Sequence, residues 1–99
     1  MLNIEKVQDG SKLTVKLEGR LDTTTSPQLE GELGSKLEGV KELVFDLEKL
    51  EYISSAGLRV LLSAQKTMNS QGSMVVKNSI EEIREIFDVT GFSDILTIE

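Results

Sequence analysis

The spacing of apolar residues alternates along this chain between two and about four, and this alternation constrains the fold more than any other feature of the sequence. Residues 13–17 carry an apolar side chain at every second position, which is typical of a half-buried strand. Leucines recur at every fourth position in residues 29–37, as on the buried face of a helix. An apolar strand at 42–47 and a helix that runs through Met68 follow. Strands separated by helices predict crossover connections and a largely parallel sheet.

Turn and capping residues set the expected ends of the first elements. The turn-forming residues 8–11 predict a hairpin between a short first strand and the strand at 13–17, which adds an antiparallel pair to the sheet. Ser26 is expected to be the N-cap of the first helix, with Pro27 at its first helical position and Gly39 as its C-cap.

The last third of the chain continues the same pattern. Residues 74–76 predict a short buried strand, and Ser79 with Glu82 matches the capping box of a third helix. Gly91 is expected to end that helix, and residues 95–98 are expected to form a last strand. Since no repeat or linker divides the sequence, we expect one α/β domain with a mixed sheet.

The composition disfavours several functions. The 99 residues include no cysteine and no histidine, which excludes disulfides, thiol nucleophiles, Ser-His pairs and imidazole metal ligands. A net charge of −6 opposes binding to nucleic acid or to an anionic membrane surface. No apolar run reaches the length of a membrane span, and no secretory pattern opens the chain, so we expect a cytoplasmic protein. No phosphate-binding or dinucleotide glycine motif occurs.

Two serines, Ser54 and Ser55, lie between the apolar strand and the second helix. Ser54 or Ser55 could cap that helix, with Gly57 allowing close packing. Alternatively, one of them is a phosphorylation site. The N-terminus of a helix carries about half a positive charge and tolerates the roughly −1.5 to −2 charges of a phosphate, which would change the surface that a partner contacts. The spacing leaves both interpretations open.

Asp22 follows the second strand and precedes Thr23, Thr24 and Thr25. It could be a turn residue that bonds its own backbone. The loops at the carboxyl ends of parallel strands also meet at one edge of a sheet. Asp22 and the two serines are therefore expected to share a surface, where a carboxylate would repel an added phosphate.

These segments together resemble the STAS domain, the domain of sulphate transporters and anti-sigma factor antagonists, and in particular the free-standing bacterial anti-sigma factor antagonists. The resemblance covers nearly all of residues 1–99 as a single STAS domain. It rests on ordered motifs at residues 17–22, 43–47, 52–62, 74–76 and 83–92.

The resemblance implies a mixed β-sheet with helices packed mainly on one face, and a function in partner switching. An unphosphorylated antagonist binds an anti-sigma factor that is itself a serine kinase, and so releases a sigma factor. The kinase phosphorylates a serine at the start of the second helix, which ends binding, and a PP2C-type phosphatase reverses the reaction. ATP and metal belong to these partners. No cofactor is expected in this chain, which is expected to be a monomer when free.

Matched by position, the resemblance assigns phosphorylation to Ser55. Many family members carry aspartate where this chain has Ser54, which keeps Ser54 as a second choice. The residues implied in partner binding are Asp22, Thr23, Thr24, Thr25, Ser54, Ala56, Gly57, Leu58 and Arg59.

Two other classes of function stay open. A STAS domain without a phosphorylation cycle would be a structural subunit of a signalling or lipid-transport complex, and the serine at position 54 is compatible with that role. An enzyme is disfavoured because histidine and cysteine are missing, which leaves only a carboxylate mechanism. We therefore expect a binding module rather than an enzyme.

Overall fold

A computed structural model describes the backbone of residues 1–99 and every side chain in that range except that of Ser35. The strands are β1 (Leu2–Asp9), β2 (Lys12–Leu21), β3 (Glu42–Ile53) and β4 (Ser73–Lys77). The helices are α1 (Ser26–Leu33), α2 (Ser55–Asn69) and α3 (Glu81–Thr90), and short 3₁₀ turns span Ser35–Leu37 and Phe92–Asp94.

The four strands form one mixed sheet in the order β1-β2-β3-β4. β1 pairs antiparallel with β2, while β2, β3 and β4 run parallel, which confirms the expected hairpin and the expected crossovers. The hairpin turn lies between Asp9 and Lys12, with Gly10 at a φ of +62° that favours glycine. The mixed sheet predicted from the sequence is confirmed.

Helices cover one face of this sheet, and the other face is largely polar. Along β2, Leu13, Val15 and Leu17 are buried, while Lys12 before them and Lys16 between them are exposed. The helices bury apolar stripes in the same core: Leu29 and Leu33 of α1, Leu58, Leu61 and Met68 of α2, and Ile83 and Phe87 of α3. The expected packing of helices on one face is confirmed.

The predicted boundaries of α1 were wrong at both ends. Ser26 is the first helical residue rather than the N-cap, and its hydroxyl donates to the carbonyl oxygen of Asp22 at 2.6 Å. The helix ends at Leu33, with Gly34 rather than Gly39 as its C-cap, because Gly31 within it and Gly34 directly after it both disfavour a longer helix. Leu37 is still buried, but in a 3₁₀ turn.

Two predictions near the C-terminus were also wrong. Ser79 does not cap α3; Ile80 occupies the N-cap position, and the buried Ser79 hydroxyl has no hydrogen-bond partner among the described residues. The expected last strand is reduced to a single parallel bridge between Ile98 and Val76, because the chain before it forms a 3₁₀ turn over Phe92–Asp94. Gly91 does end α3, in the left-handed conformation that was expected.

The side chain of Gln71, just after α2, holds the loop that leads into β3. Its Nε2 donates to the carbonyl oxygens of Leu37 and Val40 at 2.6 and 2.7 Å. We expect Gln71→Ala to lower the free energy of unfolding by about 1–3 kcal/mol, because it removes both hydrogen bonds and leaves the Val40 carbonyl oxygen without a described donor. The Leu37 carbonyl oxygen still accepts a bond from the amide of Val40 at 3.0 Å. Urea denaturation measures the change.

Gln8→Ala is the matched control, since Gln8 is exposed and makes only a 3.4 Å contact with Gly10. It should change stability by less than about 0.5 kcal/mol. Equal effects of the two substitutions would show that Gln71 does not hold the loop.

Candidate functional site

The loop after β2 and the start of α2 meet at the carboxyl edge of the sheet. Leu21 and Ile53 are the last register pair of β2 and β3, and the amide of Ser54 donates to the carbonyl oxygen of Leu21 at 2.9 Å. Asp22 and Ser54 therefore leave the sheet side by side, as the strand order predicts.

Ser54 is the N-cap of α2. Its backbone is extended, and its hydroxyl oxygen accepts a hydrogen bond from the amide of Gly57 at 3.3 Å. The first helical bond follows, from the amide of Leu58 to the Ser54 carbonyl oxygen. The capping interpretation is thus confirmed for Ser54, whose side chain is half-buried by this role.

Ser55 is the first residue of α2, and its side chain is exposed. Its hydroxyl makes no hydrogen bond to any other described residue. Arg59, one helical turn further on, is also exposed and lies on the same side of the helix. A hydroxyl in this position is open to a docking protein and stands at the positive end of the helix dipole.

Gly57 lets α2 begin directly on top of the sheet. A β-carbon at this position would lie 2.8 Å from Cγ of Leu21 and 2.9 Å from Cγ1 of Ile53. Both distances are shorter than carbon atoms tolerate. The lack of a side chain at residue 57 therefore fixes how closely the first turn of α2 approaches the strands.

The expected partner-binding residues divide into exposed and buried groups. Thr23, Thr24 and Arg59 are exposed, and Asp22, Ser54 and Ala56 are half-buried. The buried ones are Thr25, Gly57 and Leu58. The buried residues lie beneath the edge and offer little surface for contact.

Asp22 anchors its own loop. Its Oδ1 accepts hydrogen bonds from the amides of Thr24 and Thr25, both at 3.0 Å, and from the Thr24 hydroxyl at 2.8 Å. The Thr24 hydroxyl is the largest cause that lowers the pKa of the Asp22 carboxyl from 3.8 to about 2, against a smaller opposing effect of desolvation. The turn interpretation of Asp22 is confirmed, and its carboxylate is fixed beside the start of α2.

Arg20 and Tyr52 belong to this edge but were not among the predicted site residues. They are register partners, and the guanidinium carbon of Arg20 lies 4.3 Å from the centre of the Tyr52 ring. Nε of Arg20 also lies 3.8 Å from Oδ2 of Asp22. Their place directly before the buried pair Leu21 and Ile53 is the sequence signal that could have identified them.

The described residues include no cluster of acidic side chains able to hold a metal ion. Nor is any described helix both long and apolar enough to span a membrane. The fold and the site thus define a small α/β domain with an exposed serine on the first residue of α2 and an anchored carboxylate in the neighbouring loop.

The chain belongs to the STAS domain family, since the family model matches residues 3–99. A relative is BtrV of Bordetella bronchiseptica, named as a candidate anti-sigma factor antagonist. It is 37% identical over 99 residues, which cover 98% of this chain and 84% of BtrV. The anti-sigma-B factor antagonist of Bacillus subtilis is 30% identical over 98 residues, which cover 98% of this chain and 90% of the relative.

Solved structures show the same fold. An anti-sigma factor antagonist from Mycobacterium paratuberculosis has a TM-score of 0.89 at 21% identity, covering 99% of this chain and 85% of that one. The Bacillus cell fate determinant SpoIIAA in its phosphorylated form has a TM-score of 0.75 at 17% identity, covering all of this chain and 91% of that one. The comparisons confirm the family and the fold that the sequence motifs predicted.

The close packing at Gly57 predicts opposite effects for two glycine-to-alanine substitutions. Gly57→Ala should lower the free energy of unfolding by about 1–3 kcal/mol, because its methyl group overlaps Leu21 and Ile53. Gly31→Ala in α1 has open space around the new methyl group and should raise it by about 0.5–1 kcal/mol. Thermal or urea unfolding of both variants measures the difference, and two changes of the same sign would contradict it.

The hydrogen bonds to Asp22 predict a specific acid sensitivity. Because its pKa is lower in the folded state, the carboxylate contributes stability that is complete above about pH 4 and is lost as the pH falls toward about 2. Thr24→Val removes the largest cause of the shift, so the pKa of Asp22 should rise toward its ordinary value. Carbon NMR of the Asp22 carboxyl during an acid titration measures this pKa.

Thr23→Val is the control, because Thr23 is exposed and donates none of the described hydrogen bonds to Asp22. A pKa of Asp22 that stays near 2 in Thr24→Val would rule out the proposed cause.

Proposed function

We propose that the protein is an anti-sigma factor antagonist that binds its anti-sigma factor while Ser55 is unmodified, and that phosphorylation of Ser55 ends this binding. The names of the two relatives support the antagonist function. The observation that carries the regulatory part is the position of Ser55, an exposed hydroxyl on the first residue of α2.

Ser55 is a better acceptor of a phosphoryl group than Ser54. The Ser54 oxygen is half-buried and accepts the hydrogen bond from the Gly57 amide, so esterification there would disturb the cap of α2. The Ser55 oxygen is exposed, and a phosphate on it would extend into solvent. The helix dipole and Arg59 would offset part of the added charge, so the domain would remain folded.

A phosphate on Ser55 would also change the charge of the surface that a partner contacts. A phosphoserine adds roughly −1.5 to −2 charges next to the fixed carboxylate of Asp22, on a protein whose net charge is already −6. A partner that docks against a neutral hydroxyl would instead meet a solvated dianion, which is costly to bury without a cation to pair with it. Loss of binding then requires no change of fold.

The proposed partners supply the chemistry that the domain itself lacks. The anti-sigma factor is of the serine-kinase type and transfers the γ-phosphoryl group of ATP to Oγ of Ser55, whose proton leaves. A PP2C-type phosphatase hydrolyses the ester and restores the hydroxyl. The reported structure of SpoIIAA in a phosphorylated form supports such a modification on this fold.

We also propose that the protein is a monomer when free. The outer edge of β1 carries Glu5 and Lys6 near its centre, where the Glu5 side chain is exposed and the Lys6 side chain is ion-paired with Glu32. A second copy paired antiparallel about a two-fold axis through either residue would place like charges opposite each other.

Phosphorylation and binding assays test the proposal. The purified protein is incubated with ATP and each kinase-type anti-sigma factor of the same genome, and the phosphate is mapped by mass spectrometry. We expect it on Ser55. Ser55→Ala should keep its affinity for the anti-sigma factor, while Ser55→Asp should weaken it by about tenfold or more, which calorimetry measures.

Ser54→Ala is the matched control and should still be phosphorylated, although loss of the cap should destabilise it by about 1 kcal/mol. Phosphate found away from Ser55, or equal affinities of Ser55→Ala and Ser55→Asp, would refute the switch. Binding without phosphorylation would favour a structural STAS subunit instead.

A further inference from the structure

Arg20 and Tyr52 form an exposed pair next to the proposed switch. The side chain of Arg20 is 54% exposed, and Tyr52, the single tyrosine of the sequence, is 37% exposed. Their stacking distance of 4.3 Å is within the range of a cation–π contact.

The pair projects from the face of the sheet that the helices leave open. Leu21 and Ile53, the next residues on each strand, are buried under the helices, and successive side chains of a strand alternate between faces. Arg20 and Tyr52 therefore stand where the open face reaches the edge that carries Asp22 and Ser54. A protein that docks on the start of α2 would extend over them.

The guanidinium of Arg20 is held in a defined orientation, but its hydrogen-bond donors are unused by the described residues. Stacking on Tyr52 holds one of its planar faces, and Asp22 at 3.8 Å is an ion-pair contact that is too long for a hydrogen bond. Its N–H groups donate no hydrogen bond to any described residue. A stacked guanidinium keeps its edge available for a carboxylate, which it binds through two parallel hydrogen bonds.

Such a pair has the properties of an interface hot spot. Arginine and tyrosine are enriched among the residues that contribute most to binding. Their mutual stacking, together with the anchored Asp22, fixes their rotamers before a partner arrives, which lowers the entropy lost on association.

We infer that Arg20 and Tyr52 are a second contact of the docking surface, at which Arg20 receives a carboxylate of the anti-sigma factor and Tyr52 packs against the same partner segment. This inference rests on the proposed function. On this inference, Arg20 and Tyr52 contribute most of the binding free energy. Phosphorylation of Ser55 then determines whether binding occurs.

Binding of the full-length protein to the purified anti-sigma factor tests the inference. Arg20→Ala and Tyr52→Ala should each weaken the affinity of the unphosphorylated protein by about tenfold or more. Arg20→Lys should rescue only part of it, because an ammonium cannot form the two parallel bonds. Tyr52→Phe keeps the ring and should bind within about twofold of the wild type. Arg84→Ala, at an exposed arginine of α3, is the matched control and should bind like the wild type.

Unfolding measurements on each variant separate binding from folding, and affinities are compared only at a temperature where the variant is fully folded. If Arg20→Ala and Tyr52→Ala bind within twofold of the wild type while Ser55→Asp loses binding, the inference is wrong and the proposed function stands. An effect of Arg20→Ala on the phosphorylated protein alone would make Arg20 a phosphate contact and overturn the inference. If the wild type binds no anti-sigma factor, both fail.

Discussion

The contact between the first turn of α2 and the ends of β2 and β3 is the constraint on which the site depends. Gly57 lies against Leu21 and Ile53 with no room for a β-carbon. With residue 57 held against the sheet, the helical repeat turns Leu58 into the core and Ser55 outward. One packing contact thus decides which of the neighbouring side chains is buried and which is exposed.

This constraint separates the exposed chemistry from the stability of the domain. The core is built from the apolar stripes of the strands and helices, and none of the exposed groups at the edge belongs to it. Asp22 is held by hydrogen bonds within its own loop rather than by the core. A change of the exposed groups at this edge would therefore leave the packing of the sheet and its helices intact.

The parts of the fold and site that could be predicted from sequence depend on local interactions. The hairpin, the Ser54 cap and the Gly91 C-cap involve residues within a few positions of one another, and the structure confirms them. Ser79 shows the limit of such reasoning, because its capping pattern is present but α3 starts one residue later than that pattern requires. Strand alternation could have placed Arg20 and Tyr52 on the open face of the sheet, but not opposite each other, because their pairing depends on register shifts along β2 and β3 that leave no local signal.

The N-cap of α2 is uncharged, which affects the electrostatic potential at this edge of the sheet. A carboxylate at residue 54 would accept the same bond from the Gly57 amide, but Ser54 does so with a neutral oxygen. The helix dipole at this end therefore stays uncompensated by its own cap, and Asp22, Arg20 and Arg59 are charged residues of the same edge. A phosphate on Ser55 would therefore be the first negative charge placed on this helix end itself, and the potential there would differ most between the two states of that serine.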